Sequence, residues 1–125
     1  MNRLDNLFAN KKKDILNVYF TAGHPNLHDT QDIILTLEEA GVDLIELGMP
    51  YSDPMADGPV IQRASERALE QGMSLISVLN IVKTFRSRDK TTPIVLMGYL
   101  NPIEIMGYEN FAEAAQSAGR TCYAA

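Results

Sequence analysis

Short apolar runs alternate along the chain with longer stretches in which apolar residues return every three or four positions. The first such stretch sets Leu4, Leu7 and Phe8 among polar neighbours and predicts a short amphipathic helix. An apolar, β-prone run from Ile15 to Phe20 follows. It ends at Thr21-Ala22-Gly23-His24-Pro25, so it reads as a strand and its loop. Asp29 or Thr30 can cap a helix with Ile33, Ile34, Leu37 and Ala40 on one face, and Gly41 stands where a left-handed C-terminal cap is wanted. A second strand, Asp43 to Gly48, begins almost at once. Beyond a Pro/Asp/Gly-rich loop from Met49 to Pro59, a helical stripe of Val60, Ile61, Ala64, Ala68 and Leu69 runs toward Gly72. Ser74 caps another helix, which carries Leu75, Val78, Leu79, Val82 and Phe85. The third strand is Pro93 to Met97. Tyr99 to Pro102 read as a loop, and Asn110 can cap a last helix, with Phe111, Ala114, Ala115 and Ala118 inward and Gly119 as its stop.

Strands that are apolar runs, separated by helices, imply a parallel sheet buried on both faces. The class is α/β, and two architectures fit: an open doubly wound sheet or a (β/α)8 TIM barrel. Only three strands are found, and a complete barrel needs about 250 residues. The expectation is one partial TIM-barrel domain over residues 1–125, containing about the first three βα units, with open edges and an uncovered sheet interior; a small domain whose last strand is merely short is the ordinary alternative. After the last helix only Arg120 to Ala125 remain where a fourth strand should begin, and these six residues are not expected to be the native continuation.

Composition narrows the function classes. The 125 residues are 46% apolar, enough for one core, and carry a formal charge of -5. Such a chain has no field to attract phosphate backbones, and its one basic run, Lys11 to Lys13, reads as a solvated patch before a strand; nucleic acid is argued against. No apolar stretch has the length of a signal peptide or a membrane span, so a cytoplasmic protein is expected. The single cysteine, Cys122, has no partner for an intrachain disulfide, and no zinc-ligand spacing occurs. No metal is expected.

In barrels, catalysis sits on the loops after the C-terminal strand ends. Three such loops are available: Thr21 to His28, Met49 to Pro59, and Gly98 to Ile103. The second strand adds a carboxylate within itself, Glu46, and its loop adds Asp53 and Asp57. Alternation puts Asp43, Ile45 and Leu47 on one face and Leu44, Glu46 and Gly48 on the other, so Glu46 points either into the barrel or at its helical jacket. An ionised carboxylate there is costly unless paired, and such acids are often functional; a solvated or salt-bridged strand end is the ordinary alternative. Asp53 before Pro54 and Asp57 before Gly58 are each ordinary turn residues. Together with Glu46 they form a constellation in which one group can move protons while another stabilises positive charge. His24 and His28 lack an orienting carboxylate in sequence, and His24 reads as a turn residue. Tyr19, Met97 and Tyr99 fall at or just past strand ends, suited to lining a flat apolar pocket or to packing the core. No dinucleotide fingerprint or phosphate-binding P-loop is present.

The segment ELGMPYSDPMADGPVIQ, together with LFA near the start, FTAGHP in the first loop and PIVLMGYLNPI, resembles the tryptophan synthase α chain family. The resemblance runs from about Leu4 to Gly119. It implies a (β/α)8 barrel and a lyase reaction in tryptophan biosynthesis: retro-aldol cleavage of indole-3-glycerol phosphate to indole and glyceraldehyde 3-phosphate. Glu46 then matches the acid/base position and Asp57 the carboxylate that holds the indole nitrogen. Tyr19, Met97 and Tyr99 resemble the indole-pocket lining, and the loop with Asp53 and Pro54 resembles the one that meets the β subunit in an α2β2 tetramer. No cofactor belongs to this chain by that likeness; pyridoxal phosphate belongs to the β partner. The alternatives are another phosphate-dependent barrel lyase or isomerase, and a non-catalytic module that binds the β subunit.

Overall fold

A computed structural model describes residues 2–89, 91–119 and 122–124, the last three by their backbone alone. The elements run α1 (Arg3–Asn10), β1 (Asn17–Thr21), α2 (Thr30–Ala40), β2 (Leu44–Gly48), α3 (Pro59–Glu70), α4 (Leu75–Arg88), β3 (Ile94–Met97), α5 (Leu100–Met106), α6 (Tyr108–Ala118) and β4 (Cys122–Ala124). All strands pair in parallel, in the order β1-β2-β3-β4. The apolar pattern marked three strands; the short fourth one pairs with β3 within the terminal stretch set apart above, whose residues 120, 121 and 125 lie outside the described ones.

A sequential order separates the two architectures. Crossovers of one hand between neighbouring strands place their helices on the same face of the sheet, whereas a doubly wound sheet reverses its order to cover both. The side chains agree. Ile45 and Leu47 of β2 and Ile94 and Leu96 of β3 are fully buried, in one core with Ile34 of α2, Val78, Val82 and Phe85 of α4, and Phe111 and Ala115 of α6. The intervening residues Tyr19, Glu46 and Val95 are only half-buried, and Met97 is exposed. The sheet is therefore covered on one face and half-open on the other, not buried on both, and the arrangement is a segment of a (β/α) barrel.

Several local expectations shift for identifiable reasons. β1 starts at Asn17 rather than Ile15, because the Leu16 carbonyl is taken by the backbone N–H groups of Asp43 and Leu44. Leu100 to Met106 form a helix instead of a loop; Pro102 is accepted because it lies in the first turn, where no intrahelical N–H bond is lost. Asn110 sits inside α6 and donates to the Met106 carbonyl, so Gly107 and not Asn110 precedes that helix. Asp29 makes no side-chain cap on α2; the Thr30 hydroxyl instead turns inward and accepts from the Gly23 N–H at 2.8 Å. Val60 and Ala40 face outward, and Ser65 replaces Val60 in the buried stripe of α3. Lys11 is more than a solvated charge: its ammonium pairs with Asp43 at 2.9 Å, and the same carboxylate accepts from the Leu16 N–H. Gly41 does close α2 in the left-handed region, and the Ser74 hydroxyl caps α4.

Buried polar groups tie the lower rim. The Arg86 guanidinium on α4 donates to the Gly119 carbonyl at the end of α6, 2.7 Å away. Burial, with the neighbouring Arg3 charge, pushes its pKa down to about 10. Asp89 accepts from the backbone N–H groups of Thr91 and Thr92 and from the Thr92 hydroxyl, which fixes the turn into β3. Burial opposes its ionisation, but these hydrogen bonds and the Arg86 charge hold its carboxyl below the ordinary range. Because the folded pKa lies below the unfolded value of about 3.9, the stabilisation is complete above that pH and drains away as pH falls through the folded value. Asp89→Asn should cost about 1–2 kcal/mol at pH 7 and progressively less in acid. Thermal melts of both proteins at pH 7 and pH 3 check this; an equal difference at the two pH values contradicts it.

Candidate active site

The two residues flanking Glu46 decide where it points. Ile45 and Leu47 enter the helical core, so the carboxylate between them leaves by the opposite face, toward the barrel interior. Across the ladder it is level with Tyr19 of β1 and Val95 of β3. The Asn17 side-chain amide, on the same face of β1, donates to Glu46 Oε1 at 2.5 Å.

Tyr19 stands over the next step of β2. A Cβ at Gly48 would run into its hydroxyl and lie 2.8 Å from its Cζ, so glycine is what lets the ring lie flat across the sheet. The Tyr19 hydroxyl meets the Thr21 hydroxyl at 3.3 Å. Burial raises its pKa, the Thr21 bond acts against this, and the charges of Asp57 and Glu46 add to the rise. Both carboxylates thus act on one phenol, which stays protonated and can donate.

The loop after β2 folds back over the strand ends. Gln62 of α3 donates to the carbonyls of Pro54 and Asp57 at 3.1 and 2.8 Å, and the Ala56 N–H donates to the Tyr99 hydroxyl at 2.8 Å. The Tyr51 and Tyr99 rings stack with centroids 5.2 Å apart. The result is a cleft of about 490 Å3 with Tyr19, Glu46 and Met49 at its floor, Asp57 and Tyr51 from the loop, Ile61 and Ser65 from α3, and Met97 and Tyr99 from the end of β3. It has the form of a small-molecule site: mostly apolar and aromatic walls with a few converging polar groups.

Of the residues singled out from sequence, Glu46, Asp57, Tyr19, Met97 and Tyr99 come together in this cleft. Asp53 and Pro54 do not; they line a separate, more open hollow on the outer side of the loop, beside Met55 and Glu66. Neither histidine lines the cleft. Sequence reading missed Asn17, although its place two residues before Tyr19 on an alternating strand was a signal. It also missed Gln62, whose role comes from the loop it holds. Among the described residues no group of three His, Cys, Asp or Glu side chains could hold a metal ion, and no helix is long and apolar enough to cross a membrane. The side chain of Cys122 lies outside what is described.

Residues 5–123 match the sequence profile of the tryptophan synthase alpha chain. The chain belongs to the tryptophan synthase alpha chain family. It is 62% identical to the tryptophan synthase alpha chain of Thioalkalivibrio sulfidiphilus over 101 residues, 81% of this chain and 38% of that protein. It is 55% identical to the alpha chain of Xanthomonas axonopodis pv. citri over 122 residues, 95% of this chain and 46% of that one. The crystal structure of tryptophan synthase subunit alpha from Legionella pneumophila str. Paris superposes with a TM-score of 0.91 at 49% identity, covering 96% of this chain and 47% of that one. The chain thus spans less than half the length of these tryptophan synthase alpha chains.

Gly48 offers a direct check on the floor of this cleft. Gly48→Ala should displace the Tyr19 ring and cost about 1–3 kcal/mol by overpacking. Denaturant unfolding and the ring shifts of Tyr19 in NMR spectra report both effects; an unchanged Tyr19 environment contradicts the placement.

Proposed function

We propose that this chain supplies the catalytic carboxylates of a lyase that cleaves indole-3-glycerol phosphate to indole and glyceraldehyde 3-phosphate. One observation carries the reading: Glu46 and Asp57, from a strand and from the loop beyond it, line one aromatic cleft sized for a flat ring. In the cleavage, the bond between indole C3 and the first side-chain carbon breaks. C3 takes a proton while the side-chain hydroxyl loses one and becomes the aldehyde. Glu46 serves both transfers as a single acid/base group. Before the bond breaks, protonation of C3 leaves positive charge on the ring nitrogen, and the Asp57 carboxylate stabilises it through the N–H. Tyr19, Met97 and Tyr99 sandwich the ring.

The family likeness supports the rest of the reading. The exposed side of the loop, with Asp53 and Pro54, faces a tryptophan synthase β subunit in a cytoplasmic α2β2 assembly, where pyridoxal phosphate serves the β partner's own reaction. Barrel enzymes usually hold substrate phosphate on the loops after strands seven and eight, and the described residues of this chain supply four strands. By themselves they should bind indole yet release little or none from indole-3-glycerol phosphate.

In a form extended to the relatives' length, Glu46→Gln should lower cleavage by about 10²- to 10⁴-fold and leave binding to the β subunit intact. In the 125-residue chain, Asp57→Asn should weaken indole binding by about tenfold. Cleavage at the unsubstituted rate by the Glu46→Gln protein would falsify the reading.

A further inference from the structure

Tyr99 touches the loop after β2 at both of its ends. Its ring stacks on Tyr51, near the loop's start, and its hydroxyl accepts from the N–H of Ala56, one residue before Asp57. Between these points the loop spans Ser52 to Met55, all but Pro54 exposed, and Met55 is 88% exposed. Apart from Gln62, the described hydrogen bonds that hold this stretch are its own: Met55 N–H to Asp53, Asp57 N–H to Pro54, and the Ser52 hydroxyl to the Asp53 carboxylate. A loop with so few outside contacts sits at the low-stability end of a fold. Asp57 nevertheless has to stand at a fixed point of the cleft, because a fixed carboxylate stabilises a developing charge without reorganising.

We propose that the Tyr99 hydroxyl is a positioning group for Asp57: the ring serves as cleft wall, and the hydroxyl pins the Ala56–Asp57 segment against the end of β3. The inference rests on the proposed role of Asp57 only for its consequence in catalysis; the pinning itself is a matter of geometry. The arrangement splits one side chain into two separable jobs. The ring is an apolar surface that any aromatic could offer. The hydroxyl can be removed by deleting a single oxygen, with Tyr51 stacking kept. Gln62 is the second clamp, on the α3 side of the same segment, through the carbonyls of Pro54 and Asp57. The two grips are complementary, since Tyr99 holds an amide N–H and Gln62 holds carbonyl oxygens.

The test uses the 125-residue chain with Tyr99→Phe, Gln62→Ala and the double variant, followed by amide hydrogen exchange resolved at Ala56 and Asp57. One hydrogen bond worth about 1 kcal/mol predicts exchange about five- to tenfold faster at both amides in Tyr99→Phe, with the core amides of Ile45 and Leu96 unchanged. The double variant should be faster again. Indole titration then separates positioning from a merely structural part: Tyr99→Phe should weaken indole binding several-fold when Asp57 is present and have no effect in an Asp57→Asn background. Unchanged exchange at Ala56 and Asp57 overturns the proposal, as does an equal loss of indole affinity in both backgrounds. If the exchange effect appears but no form of the chain binds indole, the pinning stands and the reading of the cleft as an indole site is what fails.

Discussion

Ile45 and Leu47 are fully buried under the helices, and an extended chain allows no residue between them to share their side. The placement of the side chains that the strands bring to the cleft follows from that parity. It sends Glu46 to the uncovered face, and the parallel register then brings Tyr19 level with it from β1 and sets Met97 beside Gly48 from β3. A slip of one residue in β2 would bury the carboxylate in the helical core, where desolvation with no partner would cost several kcal/mol. Apolar burial on one face therefore fixes the chemistry on the other.

The upper rim works by different means. The apolar core reaches this loop only at its start, through Met49, and polar grips from two directions place the stretch that carries Asp57: Tyr99 from the end of β3 and Gln62 from α3. Glycine contributes where a side chain would obstruct, at Gly48 beneath the Tyr19 ring and at Gly98, whose missing Cβ leaves room for Met49. Rigid strand and adjustable loop thus each supply one carboxylate, a division suited to a reaction in which one group moves protons and the other holds a charge.

How much of this was legible in the sequence depended on the kind of force involved. Helices with a strong apolar stripe, such as α4 and α6, were read with their inward residues, because periodicity records burial directly. The facing of Glu46 was left open, since alternation gives parity and not direction; the burial of Ile45 and Leu47 under the helices settles it. α5 was missed because Asn101 and Pro102 look like loop chemistry, although Pro is acceptable in a first helical turn. β4 was missed because three residues carry no pattern. Alternation could have put Asn17 on the face of Tyr19, but its bond to Glu46, 29 positions away, and those of Gln62 to the loop before it belong to no local motif that would have named the partners. The resemblance to the tryptophan synthase α chain supplied roles for Glu46 and Asp57 that spacing alone did not.

The central claim is that the uncovered face of this sheet, and not its helical side, is where a flat aromatic ligand sits between the two carboxylates. Intermolecular nuclear Overhauser effects between indole and the 125-residue chain test it most directly. Contacts from indole protons to the Met97 methyl and the Tyr19 and Tyr99 rings, with the Asp57 amide shifting on titration, are the predicted result. Contacts confined to the outer surface of α2, around Ile33 and Leu37, would contradict it.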